Sequence, residues 1–265
     1  MVAAMSARTL RSHALAATLA VGCGGSSGEV AVAAPVPGPT PGLTAPAQPR
    51  RVVVVPPPVE PAQQPVQRTA CRAVAHIGDS TSTGMLSVDV IPDPAQRLDR
   101  QYARVGVEKF VPDNAGGRSL EEHRKTSRNG VMVAEELRAG GFRGCWVIGL
   151  GTNDAANAAK DPSVPPAQRI ANMMAVIGDD PVLWIDVATR KSDGYWATTN
   201  MQGWNAALAA TLPRWPNARI YQWTADVQDE WYSKDGIHFT ATGYIERARL
   251  VADALRAAFP DDTPR

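Results

Sequence analysis

Ala73-Val74-Ala75-His76-Ile77-Gly78-Asp79-Ser80 opens the part of the chain that can fold. Residues 73–77 form a short, almost wholly apolar run, and Gly78 and Asp79 close it with turn-forming chemistry. A run of this length and character reads as a strand buried on both faces. Outward from it, similar runs recur at 105–111, 146–150, 182–187 and 219–222. Helical patterns separate or follow them at about 120–139, 166–177, 200–212 and 240–259. The last is the clearest, with Tyr244, Ala248, Val251, Leu255 and Phe259 at helical spacing. Strands alternating with helices specify βαβ units, hence an α/β fold whose parallel sheet is covered by helices on both faces. In such sheets ligands bind beyond the carboxyl ends of the strands.

The residues at those ends are chemically selective. The first run delivers Ser80 to the start of a helix, where free backbone amides favour developing negative charge. Gly-x-Ser-x-Gly, the elbow of α/β-hydrolases, is absent, and Asp79-Ser80 alone is a weak signal that reads more readily as a helix cap. The second run leads to Asp113-Asn114-Ala115-Gly116-Gly117-Arg118-Ser119, a glycine turn whose amides can face a ligand or simply join strand to helix. The third ends in Gly149-Leu150-Gly151-Thr152-Asn153-Asp154, which lacks the spacing of a dinucleotide loop. Asn153 is a neutral donor suited to an oxyanion, or to a helix N-cap. Before the final helix stands Asp235-Gly236-Ile237-His238. A carboxylate three residues before an imidazole on a turn can fix the ring's tautomer and leave its other nitrogen to take a serine proton. The remaining histidines lack such a partner: His13 lies near the N-terminus, His76 within a strand where a satisfied core role is expected, and His123 on a polar helical face.

Taken together, Gly78-Asp79-Ser80, the glycine turn at 116–117, Gly151-Thr152-Asn153-Asp154 and Asp235-x-x-His238 resemble the SGNH (GDSL-like) hydrolase family, in the family's order and across about residues 72–259. The resemblance implies a three-layer α/β/α, flavodoxin-like sandwich on a five-stranded parallel sheet. It implies Ser80 as nucleophile, His238 as base and Asp235 as the group orienting that base. The oxyanion hole would be the Ser80 amide, the Gly117 amide and the Asn153 side chain, with Gly117 preferred to Gly116 because Gly117-Arg118-Ser119 is similar to the family's carbohydrate esterases. Thr81-Ser82-Thr83-Gly84 departs from the Leu- or Ile-rich continuation of its lipases and points away from a lipase-like substrate. The reaction implied is hydrolysis of an O-acyl ester of a carbohydrate or glycolipid through an acyl-enzyme. Transfer of the acyl group to a sugar hydroxyl is the alternative, and a catalytically idle binding module of the same fold a second. Tyr195, Trp196, Trp231 and Tyr232 are candidate substrate contacts or edge packing, and Arg190 and Lys191 could meet an anionic group or solvent. In the family's strand order, 2-1-3-4-5, the strands that follow Cys71 and Cys145 are neighbours. A disulfide between these two is therefore expected, two buried free thiols being the alternative.

Composition bounds the partners and the compartment. The 265 residues carry a formal net charge of +1 with scattered basic residues, so no nucleic-acid partner is expected. With no cluster of Cys and His ligands, neither metal nor cofactor is expected. Residues 1–23 read as an export signal: Arg8 and Arg11, an apolar stretch at 14–21, then Gly22 and Cys23. Leu19-Ala20-Val21-Gly22-Cys23 resembles a bacterial lipobox, with Cys23 as the lipidated residue and a membrane tether as its consequence. Residues 24–69 read as a linker, because half of the 22 prolines fall between Pro35 and Pro65 in a stretch without aromatics. A catalytic domain over 70–260, a tail over 261–265 and a monomeric state complete the expectation.

Overall fold

A computed structural model describes residues 67–122 and 128–262. The segment expected to be an export signal, with Cys23, nearly all of the stretch expected to be a linker, and His123 lie outside the described residues. In chain order the elements are β1 (Ala73–Gly78), α1 (Ser80–Thr83), α2 (Leu98–Arg104), β2 (Lys109–Asn114), α3 (Gly130–Ala139), β3 (Cys145–Gly149), α4 (Thr152–Lys160), α5 (Pro166–Ile177), β4 (Val182–Ile185), α6 (Thr198–Thr211), β5 (Ala218–Tyr221), α7 (Trp223–Asp226) and α8 (Ala241–Ala258).

All strand pairs are parallel, in the order β2-β1-β3-β4-β5. Side-chain alternation splits the core into two layers. Ala75, Ile77, Trp146, Ile148 and Trp184 face α3, α5 and α6, where Met173, Met174, Trp204 and Leu208 complete one buried cluster. Val74, Val147, Leu183 and Ile185 face the other way, onto Tyr102 of α2 and Ala248, Val251 and Leu255 of α8. Each such fully buried large side chain contributes about 1.5–3 kcal/mol of transfer free energy. The architecture is a three-layer α/β/α sandwich.

Two elements sit differently from the sequence pattern. The strand expected at 105–111 begins only at Lys109: 98–104 form α2, and Gly106 at φ 101° turns the chain toward the sheet edge. The helix expected from 120 begins at Gly130, where the Asn129 side chain accepts from Met132 N at 2.8 Å and caps it. Thr69 is buried and bridges Pro260, Asp261 N donates to Arg68 O, and Arg72 pairs with Asp261 at 2.7 Å.

Cys71 and Cys145 form a disulfide with Cα atoms 5.6 Å apart. Val74 pairs with Cys145 and Gly78 with Gly149, so the bridge lies at the end of the sheet away from Ser80.

Between sheet and α2 runs a buried polar chain: Tyr102 Oη to His76 Nδ1 at 2.9 Å, and His76 Nε2 to Ser82 Oγ at 3.2 Å. Burial first, and the Arg247 cation second, push the His76 imidazole down to about 3. The unfolded chain therefore binds a proton that the folded protein refuses. His76 contributes stability in full above its unfolded value of about 6.5, and this is lost as pH falls from there toward 3. Unfolding free energies of the parent should drop over that window more steeply than those of His76→Gln. Equal slopes would remove His76 from the acid response.

Gly151 caps α4 at φ 136°, with the Trp204 indole where a Cβ would stand. Gly151→Ala should cost at least about 2 kcal/mol from backbone strain and overpacking. A fall in Tm of roughly 4–8 °C is the expected reading, and an unchanged melt would contradict the close packing.

Candidate active site

Ser80, Gly117 and Asn153 follow the carboxyl ends of β1, β2 and β3, around the point where the strand order reverses. Ser80 is the first residue of α1. The Asp79 side chain caps that helix, accepting from Thr81 N at 2.8 Å and from Thr81 Oγ1 at 2.7 Å. Gly78 and Gly149 let α1 approach the strand ends: a Cβ on either would collide with Ser82. Tyr244 of α8 lies flat against Gly84 and donates from its hydroxyl to Ser80 O at 3.1 Å.

His238 reaches Ser80 from the loop before α8. Its Nε2 is 2.9 Å from Ser80 Oγ, and its Nδ1 is 2.6 Å from Asp235 Oδ2. The other carboxylate oxygen of Asp235 accepts from Ser233 Oγ, Ile237 N and His238 N at 2.7–2.9 Å. Burial of Asp235 works upward on its pKa, but these donors, His238 foremost, hold the carboxyl well below the usual range. Asp235 therefore stays ionised and accepts from Nδ1–H, leaving the Nε2 lone pair toward the serine hydroxyl.

The loop is a closed unit. Ser233 N donates to His238 O, Thr240 N to Trp231 O, and Arg190 N to Gly236 O, with Gly236 at φ 70°. Beneath it the buried guanidinium of Arg247 lies 4.6 Å from the Trp223 ring and 5.4 Å from Phe239.

Asn153 and Asp154 clamp the glycine turn to α4. Asn153 Nδ2 donates to Arg118 O at 3.0 Å, and its second contact, to Asp79 Oδ2, is a longer 3.4 Å. The Asn153 amide is thus held mainly by the Arg118 carbonyl. Asp154 Oδ1 accepts from Leu120 N at 2.8 Å. Arg118 is itself clasped by Asp113, at 2.8 Å. Gly117 sits at φ 70°, a conformation costly for any other residue at this turn.

Gly117 and Asn153 share the wall of a cavity of about 430 Å³ with Tyr195 and Trp196. Trp231 and Tyr232 are placed elsewhere. Trp231 stacks on Trp223, with ring centroids 5.9 Å apart, and Tyr232 packs against Phe239 at 5.2 Å. Both pack against the loop that carries Asp235 and His238, and Tyr232 also lines two other cavities, each shared with Arg190. Arg190 hydrogen-bonds Asp229 O and lies over Tyr232, and Lys191, the next residue, is half-buried. Sequence reasoning missed the Tyr244 hydroxyl, visible only as one more apolar position of α8, and the Asp154–Leu120 link, which joins residues 34 apart.

No protein-family model and no curated protein sequence matches the chain. Solved structures do. Est24, a carbohydrate acetylesterase from Sinorhizobium meliloti, matches at 18% identity and TM-score 0.53, covering 71% of this chain and 100% of its own. The lipase/acylhydrolase from Enterococcus faecalis matches at 20% and 0.54, covering 73% and 100%. The chain shares the three-layer α/β/α fold of these structures. The C-terminal catalytic domain of a Streptococcus pneumoniae peptidoglycan O-acetyltransferase shares it at 13% identity and TM-score 0.51, covering 71% of this chain and 92% of that one.

Proposed function

We propose that the protein is an exported serine esterase that removes O-acyl groups from a carbohydrate or glycolipid. The observation that carries the reading is the hydrogen-bonded chain from Ser80 Oγ through His238 to Asp235, set at the switch point of the sheet, with the Asn153 amide 3.4 Å from the carboxylate of the adjacent Asp79. In the mechanism, His238 Nε2 takes the Ser80 proton as Oγ attacks the ester carbonyl carbon. The carbonyl oxygen, now an anion, is held by the Ser80 and Gly117 amides and by Asn153 Nδ2, each donor worth roughly 3–4 kcal/mol in the transition state. His238 returns the proton to the leaving sugar oxygen. Water, deprotonated by the same imidazole, then attacks the acyl carbon, and as the acyl–Oγ bond breaks the imidazolium returns that proton to Ser80 Oγ, releasing the acid and the free serine. Asp235 stays ionised throughout and stabilises the imidazolium.

Fold kinship with a carbohydrate acetylesterase and an O-acetyltransferase domain supports ester chemistry. Export rests on residues 1–23, and tethering through lipidated Cys23 on the lipobox-like segment. No helix among the described residues is long and apolar enough to cross a membrane. Incubation of the purified chain with an O-acetylated saccharide should release one acetate per acetyl group lost, with the sugar recovered deacetylated. Recovery of the acetyl group on added acceptor sugar, with no free acetate, would replace hydrolysis by transfer.

A further inference from the structure

Among the described residues three large apolar side chains are exposed, and two of them, Tyr195 at 49% and Trp196 at 38%, are adjacent and line the cavity beside Gly117 and Asn153. Their exposure is built in, because the backbone beneath them is tied down. Thr189 Oγ1 donates to Trp196 O at 2.8 Å, Asn200 Nδ2 to Tyr195 O at 3.0 Å, and Ala197 N to Gly194 O. Aromatic side chains held toward a cavity, at a site that otherwise buries its aromatics, offer a stacking surface.

The rest of the cavity is polar. Glu122, Asn157 and Lys160 line it, and the same three continue into a second cavity of about 430 Å³ along α4. A long acyl chain would leave these groups desolvated without partners, which is costly. A pyranose gains from both surfaces: its C–H face on the aromatics, its hydroxyls on Asn157 and Glu122. The charges then refine the class. Glu122 is ion-paired with Arg169, whose side chain is almost fully buried, so this carboxylate is already neutralised. Burial works upward on Glu122, but Arg169, Ser119 and Asn157 together hold its pKa below the usual value. Asp161 and Glu121 line only the second cavity, where Asp161 accepts from Ser163 N at 3.0 Å and Glu121 from Asn172 Nδ2, and both bring negative charge there. Lys160 is exposed, and no ion pair engages it among the described residues.

We propose that this cavity is the subsite for the sugar of the ester, and that the sugar is anionic, its carboxylate received by Lys160 while its ring rests on Tyr195 and Trp196. The assignment deepens the esterase reading above and names its substrate class. Lys160 also sits in the last turn of α4, where a cation complements the helix dipole. That role would affect the melting temperature and leave substrate preference unmoved.

Two measurements separate the possibilities. Binding of methyl glucuronide and methyl glucoside to the Ser80→Ala protein, by calorimetry or ligand-observed NMR, reads the subsite without chemistry. The uronide should bind about two- to fivefold tighter, the worth of one exposed charged contact. Lys160→Gln, placed in the same Ser80→Ala background, should bring the ratio close to one, and Trp196→Ala should weaken both ligands together. In the active protein, kcat/KM for O-acetylated uronide over O-acetylated neutral hexoside should show the same preference and the same loss in Lys160→Gln. Equal binding of the two sugars, or a preference that survives Lys160→Gln, overturns the anionic subsite. Turnover of a small acetyl ester by the parent protein reports on the esterase reading separately, so a failed subsite and a failed enzyme give different results.

Discussion

Ser80→Ala and His238→Ala should each lower turnover by at least about 10⁴-fold, and combining them should cost little more, because the groups act as one unit. Asp235→Asn should cost about 10³- to 10⁴-fold: an amide cannot favour the Nδ1–H tautomer as the carboxylate does, although His238 N and Ile237 N can still bond to its oxygen. Ser80 and His238 lie on a helix start and a loop and are only partly buried, so folding should survive. The same three variants should melt within a few degrees of the parent. Kinetics on a chromogenic acetyl ester, with melting curves alongside, checks both statements. A Ser80→Ala protein with parental turnover would remove the assignment.

Opening the Cys71–Cys145 bridge should produce the largest loss of stability without loss of chemistry. The bridged residues are 74 apart in sequence. The chain-entropy model gives about 4 kcal/mol for a loop of that size, with smaller values common in practice. At roughly 2–4 °C per kcal/mol for a domain of this size, the paired Cys71→Ala/Cys145→Ala variant should melt about 10 °C lower. The bridge lies at the far end of β1 and β3 from Ser80, so kcat at a temperature where the variant is folded should stay near that of the parent. Equal melting temperatures, or a collapse of kcat in the folded variant, would contradict this.

The sheet was legible because its inner strands are covered on both faces. β3 and β4 are buried at every position, and such strands write continuous apolar runs into the sequence. β2 is an edge strand containing Lys109 and Pro112, so of the apolar run at 105–111 only 109–111 are strand, and 105–108 form the turn between α2 and β2. α4 escaped notice because its buried face is made of Thr152, Asp154, Ala155 and Ala156, side chains too small or polar to register as an apolar stripe. In the site, Ser80, Gly117, Asn153, Asp235 and His238 stood out by residue type and by position at strand ends or turns. The contacts that orient them did not. Tyr244 to Ser80 O, Asp154 to Leu120 N and Asn153 to Arg118 O each join residues far apart in the chain, and local pattern carries no trace of them. The same holds for Glu122, Asn157 and Lys160, which meet Tyr195 and Trp196 only once the chain is folded. Trp231 and Tyr232 show the converse: aromatics on a loop after a strand, indistinguishable in sequence from Tyr195 and Trp196, are packed against Trp223 and Phe239 instead.

The central claim is that His238 and Asp235 activate Ser80, and covalent labelling by a fluorophosphonate tests it most directly. The reagent reacts with a serine whose proton a neighbouring base removes, and far more slowly with an ordinary hydroxyl. The account predicts one adduct per chain, mapped by peptide mass spectrometry to Ser80. It predicts loss of that adduct in Ser80→Ala and labelling at least about 10³-fold slower in His238→Ala. A folded protein that stays unlabelled, or that is labelled at another residue with Ser80 untouched, would contradict it.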